Sequence, residues 1–160
     1  MEGQHKPIKR SAELAPLSRD HHQGLLLGYK LRQGIKYGVE AHRMTAFVKW
    51  FWAAHLVPHF EKEEKYLPVV LSDQHPLIQQ MLSEHEVIKS KIEQLTDTSS
   101  TSAFEDLDAT ITQHIRFEER VLFDEVEKCA TAEQLQWLAE GLTDDPVSET
   151  WEDNFWVAKK

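Results

Sequence analysis

One stretch of this sequence occurs twice. "HFEKEEKYLP" starts at His59 and "HIRFEERVLF" starts at His114, and both read H-x-x-x-E-E-x-x-L. Each copy sits in an apolar pattern of helical period. Residues four apart lie on one helix face, with Cβ atoms roughly 5–6 Å apart. His59 therefore projects with Glu63, and His114 with Glu118. Of the nine histidines, only these two have a Glu or Asp four positions on. Any fold for the chain must place two charged pairs on faces that otherwise bury apolar side chains.

The surrounding pattern is helical throughout, and no strand-period alternation of any length occurs. A first helix is predicted from about Ser18 to Gln33, with Leu25, Leu26, Tyr29 and Leu31 as apolar positions, ending near Gly34 and Gly38. A second runs from about Glu40 to Tyr66 on Phe47, Trp50, Phe51, Ala54 and Leu56. Pro58 should bend it by removing a backbone donor, and Pro68 should stop it. A third runs from about Pro76 to Leu95 on Ile78, Met81, Leu82, His85, Ile88 and Ile92. Ser102 with Glu105 reads as a capping box opening a fourth helix to about Lys128, and Thr131 with Gln134 opens a short fifth that ends at Gly141. The expected class is all-α: an up-down antiparallel four-helix bundle with a short fifth helix and a C-terminal tail. Residues 1–16 form an N-terminal arm broken by Pro7 and Pro16, 17–141 the bundle domain, and 142–160 an acidic aromatic tail.

Charge and composition narrow the function classes. The net charge of -9 argues against a nucleic-acid surface. Cys129 is the single cysteine, which excludes a disulfide framework and a cysteine-based zinc site. No run approaches the ~20 apolar residues of a membrane span, and the first twenty residues lack the apolar core of a signal peptide. The expectation is a cytoplasmic protein with neither nucleic-acid nor membrane partners.

Two more histidines fall on apolar faces. His21 lies one turn after Leu17 and one before Leu25; His85 lies one turn after Met81 and three residues before Ile88. Singly, each reads as a core histidine. Together, four helices each supply an inward imidazole, and two of them add a carboxylate. Burying these groups is costly unless something compensates. A pair of metal ions does so, because imidazole suits iron, zinc, copper and nickel and carboxylates can bridge.

The motifs "DHH", "HFEKEE", "EH" and "HIRFEE", one per helix and in this order, resemble the hemerythrin-like, or HHE cation-binding, family from about Leu17 to Phe123. The resemblance implies an up-down bundle around a non-haem di-iron centre. It implies His21, His59, Glu63, His85, His114 and Glu118 as metal ligands, with Glu63 and Glu118 bridging two iron ions beside an oxo or hydroxo group. His22 fits the spacing to Leu25 and Leu26 equally well; the family's acid-then-histidine pattern favours His21. The family's oxygen carriers use a fifth histidine on the third helix, four residues from its partner. Here those positions hold Met81 and Lys89. On two octahedral irons the set leaves two positions open, against one in the carriers. The pattern is similar to the branch associated with iron sensing and repair of iron centres.

The resemblance thus implies a protein that binds dioxygen, nitric oxide or peroxide, or senses or handles iron, in a cytoplasmic stress or sensing role. The alternatives are a di-iron oxidase or peroxidase, and a metal-stapled helical interaction module. Ferritin-type Glu-x-x-His spacing occurs only at Glu2 and His5, which disfavours the oxidase. No catalytic nucleophile or base is evident. Glu64 and Glu119, about 100° round the helix from the pairs, are expected to be solvated or to back the ligands. His55 is expected to back the site or pack, and His75 to lie at the surface. Trp50, Phe51 and Trp52 read as core filling rather than a gate. Trp151, Phe155 and Trp156 either pack back on the bundle or cover a partner surface.

Overall fold

The computed structural model describes residues 10–143 and 150–158. Among these the chain is helical, with no strand. Helix α1 spans Ala15–Lys36. Helix α2, Ala41–Phe51, continues through a π-turn at Trp52–Leu56 into α3, Val57–Leu71. Helix α4 spans Pro76–Glu93. Helix α5, Thr101–Phe117, continues through a second π-turn at Glu118–Leu122 into α6, Phe123–Cys129. Helix α7 spans Ala132–Gly141. The four rods α1, α2–α3, α4 and α5–α6, joined by short links, form the expected bundle, and α7 docks against α3. No helix among the described residues is long and apolar enough to cross a membrane.

The local differences from the sequence reading have physical causes. Pro16 falls in the first turn of α1, where a missing N–H costs nothing, so that helix starts earlier than expected. Pro58 lies in the first turn of α3, directly after a π-turn in which the Val57 N–H reaches back to the Trp52 carbonyl. The wider turn falls just before the proline, whose ring would crowd the backbone of an unbroken α-helix. Pro68 does not stop its helix: α3 runs on to Leu71 and ends at Ser72, whose φ is +97°. One backbone bond is lost there, but Val70 and Leu71 still pack on the lower core. The fourth helix starts at Thr101 with Ser100 as N-cap, so the Ser102–Glu105 box does not form. Burial of Phe104 and Leu107 sets the register instead. The Thr131–Gln134 box forms as expected.

The buried face of α1 also differs from the expected one. Leu25 and Tyr29 are exposed, while Leu17, His21, Gly24, Leu27, Gly28, Leu31 and Gly34 face inward. The glycines let other helices come close. A Cβ on Gly24 would stand 3.0 Å from Ile115 Cδ1, and one on Gly34 2.6 Å from Met44 Sδ. A reading that counts apolar side chains cannot see a stripe made partly of glycine.

Two apolar clusters fill the bundle. The upper holds Leu27, Leu31, Phe47, Phe51, Phe104 and Ile111, and the lower Leu14, Leu17, Leu67, Met81, Leu122 and Phe123. The C-terminal tail packs back on the upper cluster: Phe155 is buried, its ring 5.4 Å from Phe47, and Arg43 holds Asp153 through two hydrogen bonds of 2.8 and 2.5 Å. The histidine- and glutamate-bearing layer lies between the two clusters.

Candidate metal centre

His21, His59, Glu63, His85, His114 and Glu118 all lie in this layer and are buried; both glutamates are 0% exposed. His21 comes from α1, His59 and Glu63 from α3, His85 from α4, His114 from α5, and Glu118 from the first residue of the second π-turn. Of the adjacent histidines, His21 lies in the layer and His22 is exposed.

The six form two overlapping groups, His21–His59–Glu63–Glu118 and Glu63–His85–His114–Glu118, in each of which the ligand-type atoms lie within 4.8 Å of one another. Both glutamates belong to both groups. Glu63 turns Oε2 toward His59 (3.3 Å) and His21 (3.8 Å), and Oε1 toward His85 (3.1 Å). Glu118 turns Oε1 toward His21 (2.8 Å) and His114 (3.3 Å), and Oε2 toward His85 (3.5 Å). Phe60 stacks on His85 with ring centroids 3.7 Å apart, and Phe123 lies parallel to His21 at 5.4 Å.

Each imidazole turns its Nε2 inward and its Nδ1 outward. Each Nδ1–H donates to a carboxylate: His59 to Asp20 (3.0 Å), His85 to Glu64 (2.7 Å), His114 to Glu84 (2.7 Å) and His21 to Glu119 (3.2 Å). Of the two residues expected to be solvated or to back the inward histidines, Glu119 backs His21 and is largely buried, while Glu64 does both: it accepts from His85 and stays exposed. Asp20 and Glu84 were visible in the sequence as the acids preceding His21 and His85, but not as partners of His59 and His114. The signal was an acidic neighbour beside a residue on each helix. Its target lay on another helix, which the sequence does not name.

Charge balance in the layer is close. Burial pulls His85 down, but the carboxylates of Glu118 and Glu63 beside its ring outweigh it and hold the imidazole at about 10. Burial also pulls His114 down, and the negative charge of Glu118 beside its ring raises it to about 9. His21 and His59 are raised against burial in the same way, by Glu118 and Glu63 respectively. Burial and Glu118 push Glu63 up, and the neighbouring imidazoles bring it down to about 2. Without metal, protons on the imidazoles balance the two carboxylates.

Whether this donor set suits a metal can be read from its unpaired atoms. His59 Nε2, His114 Nε2, Glu63 Oε2 and Glu118 Oε2 are buried and have no hydrogen-bond partner. Buried polar atoms without partners are rare. All four belong to the two groups and point into one space, and imidazole nitrogen with carboxylate oxygen is a set that first-row transition metals favour. The residues fit metal binding.

A small cavity opens beside the layer on its upper side. His21, His59 and His114 reach its wall, and Phe51, Leu56, Ile88, Ile111 and Ile115 make it apolar. His55 lines it as well, with its ring stacked on Phe51 (4.7 Å) and set edge-to-face against Trp50 (5.5 Å). His75, by contrast, caps α4 by accepting the Leu77 N–H at Nδ1.

A family model for the hemerythrin HHE cation binding domain matches residues 1–126. No curated protein and no solved structure matches the chain. The match takes in every helix that contributes to the layer. The chain belongs to the hemerythrin HHE cation-binding family.

Proposed function

We propose that the protein is a non-haem di-iron protein that binds a small ligand, namely dioxygen, nitric oxide or peroxide, or senses or handles iron, in a cytoplasmic stress or sensing role. The observation that carries this reading is the pair of overlapping groups that share both glutamates. His21 and His59 would hold one iron ion, His85 and His114 the other, and Glu63 and Glu118 would bridge them. Such a pair supplies reversible redox change and open coordination positions. The chain supplies the rest. The carboxylates behind the imidazoles hold a proton on each Nδ1 and aim each Nε2 inward, so that Nε2 is the nitrogen that would give up its proton to a metal. The two apolar clusters exclude bulk water, which strengthens charge interactions in the layer. The cavity admits a molecule of a few atoms and no large substrate, which favours a small ligand over an organic substrate.

The test is a titration of iron-loaded protein with nitric oxide, with hydrogen peroxide and with air, followed by visible absorption. At least one is expected to change the spectrum in proportion to protein concentration. A spectrum that ignores all three would sink the small-ligand reading.

A further inference from the structure

The four outer carboxylates are arranged by a rule. Asp20 on α1 takes the Nδ1–H of His59 on α3; Glu64 on α3 takes that of His85 on α4; Glu84 on α4 takes that of His114 on α5; Glu119, after α5, takes that of His21 on α1. Each rod of the bundle thus holds the histidine of the next, and the fourth closes back on the first. Every carboxylate is also the sequence neighbour of an inward group: Asp20 of His21, Glu64 of Glu63, Glu84 of His85 and Glu119 of Glu118. The ring has a two-fold pattern, in which α1 with α3 corresponds to α4 with α5.

A single hydrogen bond behind a metal-type histidine would be an ordinary way to fix its tautomer. A closed set has a further consequence: it divides by metal ion. His21 and His59 belong to one group, and their outer partners are Glu119 and Asp20. His85 and His114 belong to the other, and theirs are Glu64 and Glu84. The halves are unequally supported. Glu119 is braced by the Ser18 hydroxyl at 2.9 Å and by Arg10 at 3.3 Å, whereas Glu84 is braced by the Gln80 amide at 2.8 Å.

Resting on the ligand set proposed above, we infer that Asp20, Glu64, Glu84 and Glu119 are positioning residues forming a closed ring, and that each adjacent pair governs one metal ion: Asp20 and Glu119 the ion of His21 and His59, Glu64 and Glu84 the ion of His85 and His114. The ring orients the imidazoles in the metal-free protein too, because its hydrogen bonds do not pass through the metal.

The experiment loads anaerobic protein with ferrous iron and follows iron loss to an excess of a coloured ferrous chelator. Three double variants are compared: Asp20→Ala with Glu119→Ala, Glu64→Ala with Glu84→Ala, and the mixed Asp20→Ala with Glu64→Ala. Each within-pair variant is expected to lose one equivalent about 10–100-fold faster than wild type, the usual effect of removing such partners, while the second equivalent leaves at nearly the wild-type rate. The mixed variant should speed the loss of both. The Asn and Gln versions retain an oxygen acceptor, should fold where the alanines do not, and should restore much of the retention. A second readout needs no iron: histidine-selective nitrogen NMR of the metal-free variants should show loss of the Nδ1–H hydrogen bond to carboxylate at His21 and His59 for one pair and at His85 and His114 for the other. Uniform loss of both equivalents in all three variants, or unchanged retention in all, would overturn the division by ion. Wild-type protein that takes up no iron would instead overturn the ligand set, and the ring's role with it.

Discussion

At the scale of single residues the layer is a set of buried charges that neutralise one another, and this fixes how stability depends on pH. In the metal-free protein the imidazoles of His85 and His114 stand at about 10 and about 9 when folded. Unfolded, they return to about 6.5. The folded state therefore binds their protons more tightly. Their contribution to stability is fully present below pH ~6.5 and is lost as pH rises through 9 to 10. Glu63 is depressed to about 2, so its contribution is present above the ordinary carboxylate range and lost as pH falls toward 2. Metal-free protein should thus be most stable between about pH 5 and 6.5. Thermal unfolding from pH 5 to 10 checks this, and stability that climbs from pH 7 to 10 would contradict it. Metal uptake must displace those protons, so iron affinity should instead fall as pH drops. His55 yields a second prediction. If the cavity receives the small ligand, its imidazole is a polar wall group, outside the six inward residues, able to hydrogen-bond it. A His55→Leu change should speed azide dissociation from iron-loaded protein about tenfold, since one such bond is worth ~1 kcal/mol. Stopped-flow absorption measures this, and an unchanged rate places His55 in packing alone. The inward residues were legible because a period of four puts His59 with Glu63 and His114 with Glu118. Their outer partners were not, because each hydrogen bond crosses to another helix and the period of one helix carries no record of its neighbour.

At the scale of elements, small residues and widened turns decide which faces meet. Both π-turns fall in the two rods that carry the repeated motif, one just before His59 and one beginning at Glu118. Each inserts the equivalent of an extra residue and so rotates the following helix relative to the preceding one. The apolar pattern showed that these rods exist but could not show the turns. The distal end of α1 makes the same point. Gly34 faces Met44 and Phe155, and a Cβ there would stand 2.6 Å from Met44 Sδ and 2.9 Å from Phe155 Cε1. Gly34→Ala should therefore loosen the docked tail and cost about 1–3 kcal/mol. The check is urea unfolding together with a red shift in the emission of Trp151 and Trp156, and an unshifted midpoint and spectrum would contradict it. At the other end, Arg10 is nearly buried and pairs with Glu119, Asp124 and Glu127. Arg10→Met leaves those carboxylates partly buried without their cation. It should lower the thermal midpoint, and more at low salt than at high salt.

At the scale of the whole molecule, two stacked apolar clusters are joined by one polar layer, and four helices close that layer from all sides. The clusters alone would make a bundle. The layer replaces apolar contacts with buried ions and hydrogen bonds, an arrangement that seldom adds stability over apolar packing. It is better explained by what the ions do than by what they add to folding. The up-down order was legible because short links force neighbouring helices to run antiparallel. The packing of the tail was not, since its aromatic residues suited a partner surface equally well.

The most direct test is the iron content of anaerobically purified protein, counted per chain by mass spectrometry and compared with His59→Ala and with Glu63→Ala, Glu118→Ala. Two irons are expected per wild-type chain and, after exposure to air, the visible absorption of a bridged ferric pair. A marked loss of iron is expected in His59→Ala, and little or none bound in the double glutamate variant. Wild-type protein that stays metal-free after reconstitution, or a double variant that keeps both irons, would contradict the di-iron reading.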